Sequence, residues 1–182
     1  MRKDAIENRK RIEEMATTLF HEHGVENVSM NQISKALNIG MGTLYRHFTH
    51  KSDLCYQLIE NDFENLMHTL NDIAQSSATD KDVFIKSIDY FLAFKWQHKD
   101  LLQCVESAQQ KRDFKDTPFF QALHDYYYAL LEKDVDADYA VFKTDALLGT
   151  LTSQNYTFQM THRARSHETY RNYLVQLFFN HY

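Results

Sequence analysis

Residues 29–51 read SMNQISKALNIGMGTLYRHFTHK, and the spacing inside this stretch decides the fold around it. Ser29 followed by Gln32 forms a capping box, in which hydroxyl and amide satisfy each other's loose backbone N–H groups. Ile33, Ala36 and Leu37 then share one side of a short helix. Asn38-Ile39-Gly40 ends it, because Asn and Gly tolerate the left-handed backbone of a tight turn. A second short helix starts at Met41, with Leu44 and Phe48 inward at helical spacing. That leaves Thr43, Tyr45, Arg46 and His47 on its outer side. Two short helices joined by a tight turn, the second polar on its outer face, form a helix-turn-helix with its recognition helix.

Gly42-Thr43-Leu44-Tyr45-Arg46-His47-Phe48, with Lys51 opening the next helix, resembles the signature of the TetR family of bacterial transcriptional regulators. Upstream, Leu19-Phe20-His21-Glu22-His23-Gly24 is similar to the end of that family's first helix, which commonly closes with an aromatic and a glycine. The resemblance covers about residues 5–60 and implies an all-α protein in two parts. Residues 1–50 are then a three-helix DNA-binding head, and residues 51–182 a helical-bundle body for ligand binding and dimerisation. It further implies a homodimer on a near-palindromic double-stranded DNA operator, acting as a repressor that answers a small-molecule effector. A DNA-binding protein of the same build without a ligand, or an activator, is the alternative.

The same resemblance distributes roles within the head. Positions matching Thr43, Tyr45, His47 and Lys51 commonly touch the DNA backbone, and those matching Met41, Gly42 and Arg46 are where base edges are often met. Chemistry agrees for several of them. Hydroxyls of Thr43 and Tyr45 suit phosphate oxygens, and Lys51 adds an ammonium beside a helix start. The Arg46 guanidinium fits the O6 and N7 acceptors of guanine, a pairing that discriminates by about 1–3 kcal/mol. Ser29 and Asn31, on the capped helix, are further candidates for DNA contact. Gly40 stands where a Ser or Thr usually caps the recognition helix, at a cost of about a few tenths of a kcal/mol. Met41 has no hydrogen to donate, so readout there is expected to be apolar, against a thymine methyl.

Bulk properties fit this reading. The chain of 182 residues is 43% apolar and 14% aromatic, enough for a core and far from disorder. It holds four glycines and one proline, and only Gly149 of the glycines lies beyond residue 50, which favours long helices over strands with many turns. The net charge of −5 is unevenly spread: residues 1–51 carry +2 and residues 52–182 carry −7. Basic groups Arg2, Lys3, Arg9, Lys10, Arg11, Lys35, Arg46 and Lys51 gather where phosphates would lie, while an acidic remainder repels DNA and orients the basic end. No signal-peptide core or membrane-length apolar run is present, so a cytoplasmic location is expected. Cys55 and Cys104 then read as reduced, buried thiols.

No cofactor or metal is expected. His21 and His23 flank Glu22, but helical ligands need spacing of three or four, and no nucleophile elbow or phosphate-binding glycine loop points to an enzyme.

Along the chain, the first helix is expected over about Asp4–His23, with Ile12, Met15, Ala16, Leu19 and Phe20 as its stripe and Gly24 as its stop. Further helices are expected over about 51–74, 81–98, 101–110, 117–131, 136–160 and 168–180, with a charged loop from Lys111 to Asp116. The aromatic side chains have two uses. They fill a core, or they line an effector cavity, for which Phe91, Trp96, Phe120, Tyr127 and Tyr156 are the candidates. Asp89, Glu106 and Asp125 among these rings would suit a lipophilic cation, or simply face water. Ala140, Leu147, Leu148, Gly149, Thr150, Leu151 and Tyr156 are expected to meet a second copy, together with Tyr170, Tyr173, Leu174, Leu177 and Phe178. The competing reading is that this stripe closes the chain's own core.

Overall fold

A computed structural model of the chain describes residues 2–107, 114–133 and 135–179, with side chains from Asp4 onward. Among the described residues there are ten α-helices, one 3₁₀ turn and one π-helical turn, and no strand. None of the helices is long and apolar enough to cross a membrane. The chain divides into two compact units, Met1–Asn61 with Asp100–Ala108, and Asp62–Lys99 with Gln109–Tyr182. The expected head of residues 1–50 falls inside the first unit, which also takes in the first turns of the following helix.

In the first unit, α1 (Arg2–His23), α2 (Met30–Ala36), α3 (Met41–His47) and the start of α4 (Lys51–Ser76) close around one core. Its members include Ile12, Ala16, Phe20, Ile33, Leu44, Phe48, Leu54 and Ile59, all buried. Leu102 and Val105 of α6 (Lys99–Glu106) join them. Gly24 stops α1 with φ at +83°, its N–H bonded to the Phe20 carbonyl at 2.9 Å; a side chain there would be strained.

The second unit contains the rest of α4, α5 (Asp80–Gln97), α7 (Pro118–Leu131), α8 (Ala137–Thr150), α9 (Ser153–Thr157) and α10 (His167–Phe178). Thr79, Thr117, Asp136, Thr152 and Ser166 each cap a helix through the backbone N–H three residues on. Helix α5 buries Phe84, Ile88, Phe91, Leu92 and Phe94, and Phe63 stacks on Phe119 with ring centroids 3.7 Å apart. Helix α10 packs on α5 and α8.

The single helix expected over 136–160 is broken. It ends at Thr150, α9 restarts under a Thr152 cap, and Phe158–His162 widens into a π-helical turn. Local hydrogen bonding explains the break. Asn155 Nδ2 and Thr152 Oγ1 both donate to the Gly149 carbonyl, at 2.7 and 3.2 Å, competing with continued helix. Helix α6 ends at Glu106 and Ser107 is already a turn; residues 108–110 of the expected helix and 111–113 of the expected loop lie outside the described residues, as does Asn180.

Candidate nucleic-acid interface

The head is assembled from bonds the sequence specifies locally. The Ser29 N–H donates to Gln32 Oε1 at 2.7 Å, and the Gln32 N–H donates to Ser29 Oγ at 3.3 Å, closing the capping box. Asn38 takes the left-handed conformation at φ 53°, whereas Gly40, expected to share it, is extended at φ −68° and serves as the N-cap of α3 without a side-chain bond. The inner side of α2 also differs from expectation: Met30, Ile33 and Ser34 are buried, Leu37 is half-buried, and Ala36 faces solvent.

Helix α3 buries only Leu44, and Phe48 follows it into the core. Its outer face carries Tyr45, 47% exposed, and Arg46, also exposed, with Thr43 and His47 half-buried beside them. The side chains of Arg46 and Lys35 make no ion pair or hydrogen bond among the described residues. A Cβ built on Gly42 or Gly40 meets nothing within 4 Å, so neither glycine is required by packing inside the protein. Asn31 is exposed on α2.

Two candidates are held differently from expectation. Met41 is only half-exposed, and its Sδ lies 2.9 Å from the Ser34 hydroxyl, which therefore joins α3 to α2. The thioether thus has an internal partner. The Lys51 ammonium turns back onto the linker between α1 and α2, donating to the Val25 carbonyl and to the Glu26 carbonyl at 3.4 Å, with the Phe20 ring 5.8 Å away. An ammonium has three donors, so one remains for an anion.

The basic cluster is likewise partly committed. Arg9 bonds Glu13 at 3.1 Å and Gln57, and its guanidinium lies 4.9 Å from the centre of the Phe48 ring, tying α1 to α4 and to the end of α3. Lys10 pairs with Glu14 at 3.7 Å. The Arg2 and Lys3 side chains lie outside the described residues. Arg9 shows what sequence reading missed: charge suggested phosphate, and only the fold reveals its ring and amide partners.

In the second unit the five effector candidates differ in burial. Phe91, Tyr127 and Tyr156 are buried, Phe120 is half-buried, and Trp96 is 51% exposed. Trp96 and Tyr156 do meet at His167, the first edge-on at 5.9 Å and the second through a 2.7 Å bond from ring nitrogen to phenol. Tyr156 also donates to the Leu92 carbonyl at 3.3 Å, and burial pushes its hydroxyl pKa well up. Tyr127 packs against Phe84 and Tyr126, and its buried hydroxyl has no partner in hydrogen-bond geometry among the described residues. A groove of about 300 Å³ lies elsewhere, lined by Thr150, Asn155, Arg165, Tyr170, Tyr173 and Leu177 among others. The acids expected near a cationic effector are otherwise engaged: Asp89 bonds Arg171 at 2.8 Å, and Asp125 faces solvent. Glu106 belongs to the first unit.

The interface residues expected on the last helices also separate. Ala140, Leu147, Leu148, Leu151, Tyr156, Tyr170, Leu174 and Phe178 are buried in the unit's own core. Of the expected residues, Tyr173 at 49%, Leu177 at 69% and Gly149 stay exposed; Phe142 at 66%, Tyr139 at 51% and Val141 at 42% are exposed on α8 without having been among them.

A capped helix, a left-handed turn and a short helix with an open glycine, an exposed tyrosine and an unpaired arginine constitute the head of a helix-turn-helix DNA-binding regulator. Residues 12–58 match the profile of the bacterial regulatory proteins of the tetR family. An HTH-type transcriptional regulator of Staphylococcus aureus strain USA300 is 49% identical over 180 residues, covering 99% of this chain and 97% of that protein. Its counterpart in S. aureus strain bovine RF122 / ET3-1 is 48% identical over the same shares of both chains. The chain belongs to the TetR family of bacterial transcriptional regulators. Among solved structures, Thermus thermophilus FadR, a TetR-family transcriptional repressor in complex with lauroyl-CoA, superposes with a TM-score of 0.71 at 16% identity, over 93% of this chain and 92% of that one. Bacillus subtilis FadR in complex with stearoyl-CoA gives 0.65 at 15% identity, over 93% and 96%. At those identities the likeness is one of fold.

Proposed function

We propose that the protein is a repressor that binds a near-palindromic operator as a homodimer and leaves it when a small molecule occupies the body. The observation that carries the reading is the outer face of α3, where Arg46 is exposed and unpaired beside the open backbone of Gly42. Arg46 takes a guanine edge, and Tyr45, Thr43 and His47 hold phosphates on either side. Lys51 keeps one donor for a phosphate while organising the linker. Ser29 and Asn31, at the start of α2, contact the neighbouring backbone. One such helix binds weakly, and two copies spaced about 34 Å apart grip successive major grooves.

Exposed Phe142, Tyr173 and Leu177 supply the apolar surface for the second copy. Effector response is supported by the acyl-CoA complexes of the two FadR structures, whose fold this chain shares. An effector that lowers DNA affinity must itself bind less tightly to the DNA complex, by the same factor.

Selection of bound fragments from the source genome gives the operator, and Arg46→Ala then tests the readout. The variant is expected to lose about 1–3 kcal/mol on the preferred sequence and to relax the choice of base at one position in each half-site. Unchanged base preference would sink the assignment of Arg46. A thermal-shift screen with long-chain acyl-CoAs and other small molecules tests the effector: a stabilising ligand that does not release DNA favours the ligand-independent alternative.

A further inference from the structure

The first unit contains a pair of thiols that DNA binding does not use. Cys55 on α4 and Cys104 on α6 are separated by 49 positions in sequence, yet their sulfurs lie 3.0 Å apart. Both are free, Cys55 fully buried and Cys104 half-exposed. A disulfide bond is about 2.05 Å, so closure needs roughly 1 Å of approach between two sulfurs already in contact. We propose that Cys104 and Cys55 form an oxidation site for hydroperoxides, closing to an intramolecular disulfide that ties α6 to the first turns of α4 and weakens operator binding.

Exposure divides the two roles. Cys104, reachable from solvent, is the nucleophile; Cys55, sealed beneath it, is the resolving thiol. Electrostatics runs the same way. A hydrogen bond from the Cys55 thiol holds Cys104 below the ordinary thiol range, with burial opposing and the Lys51 ammonium assisting. Cys55 is pushed well up, by that hydrogen bond first and burial second. In the first step the Cys104 thiolate attacks one peroxide oxygen, the O–O bond breaks, and the alcohol leaves with a proton. Cys104 is then a sulfenic acid. In the second step Cys55 sulfur attacks Cys104 sulfur, giving up its proton; the S–O bond breaks and water leaves. Two thiols lose two electrons, and one hydroperoxide becomes an alcohol and water.

The coupling to DNA runs through Lys51, one helical turn before Cys55 on α4. Its ammonium fixes the Val25 and Glu26 carbonyls at the entry to α2. A close-packed interior does not absorb a 1 Å shift at a buried sulfur locally, so movement of Cys55 disturbs that tether and the helices it aligns.

The test treats the reduced full-length chain with hydrogen peroxide or cumene hydroperoxide. Expected are loss of two hydrogens by intact mass, no free thiol on denaturation, and operator affinity about fivefold lower or worse, the lower end of ordinary allosteric coupling, restored by dithiothreitol. Cys55→Ser should stop at a dimedone-reactive sulfenic acid, and Cys104→Ser should not react. Persisting thiols, an intermolecular cross-link, or a disulfide that leaves operator affinity unchanged would each overturn the proposal. Mass and thiol counting report on the site without DNA, so its failure is separable from any failure of the operator.

Discussion

A methyl group at residue 42 would touch nothing inside the protein, and a helix interior favours alanine over glycine by about 1 kcal/mol. Folding alone therefore gives α3 no reason for Gly42, and the proposed approach of a base edge to this face would supply one. Gly42→Ala should raise the urea midpoint slightly, by up to about 1 kcal/mol of stability, while weakening operator binding severalfold in fluorescence anisotropy. A variant that gains stability and keeps full affinity would show that no DNA atom comes close there. Neighbouring residues have internal partners that their chemistry alone does not reveal. Met41 was open to reading as an apolar probe for a thymine methyl, but a polarisable sulfur also accepts from a nearby hydroxyl, and Ser34 sits within reach. Lys51 has a charge suited to phosphate, yet two backbone carbonyls of the preceding linker satisfy the same ammonium. A side chain's type fixes what it can bind, and only the fold fixes what is beside it.

Elements whose ends are written in short-range chemistry were legible before any coordinates. The Ser29–Gln32 box, the Gly24 stop and the Thr117-Pro118 start all appear where expected. Recognition helix α3 was visible for a similar reason, since its inward Leu44 and outward Tyr45 follow from helical spacing alone. The break between α8 and α9 was not, because it depends on Thr152 and Asn155 hydroxyl and amide groups turning back to the Gly149 carbonyl. Neither residue type forbids helix. The burial of Phe91 and Tyr127 and the exposure of Trp96 were not legible for a further reason: they come from packing partners far along the chain. At this scale the capping box makes a measurable claim. Ser29→Ala should cost about 1 kcal/mol in denaturant unfolding of the unit that contains it, and Ser29→Thr should recover most of that. If alanine is neutral, α2 is held by packing of Met30 and Ile33 and the cap contributes little.

For the whole molecule, the residues that repeat along the last helices were open to two readings, an interface with a second copy or closure of the chain's own core. Burial assigns Leu147, Leu151, Tyr170, Leu174 and Phe178 to the core. The proposed interface then draws on exposed residues, and Phe142 and Leu177, at 66% and 69%, are the most exposed apolar side chains of α8 and α10. They stand on α8 and α10, two helices that pack together. Because both side chains already face solvent in the single chain, a carboxylate at either place costs the fold little, whereas in a dimer it would be buried without a partner. The double variant Phe142→Glu, Leu177→Glu should therefore melt close to the wild type at low concentration, yet sediment as a monomer at micromolar concentration where the wild type is expected to sediment as a dimer. Operator affinity should fall far more than any single α3 substitution causes, since each head would then bind its half-site alone. A wild type that is itself monomeric at that concentration, while still protecting a two-half-site operator, would rule this surface out as the origin of pairing and leave DNA as what brings the two copies together.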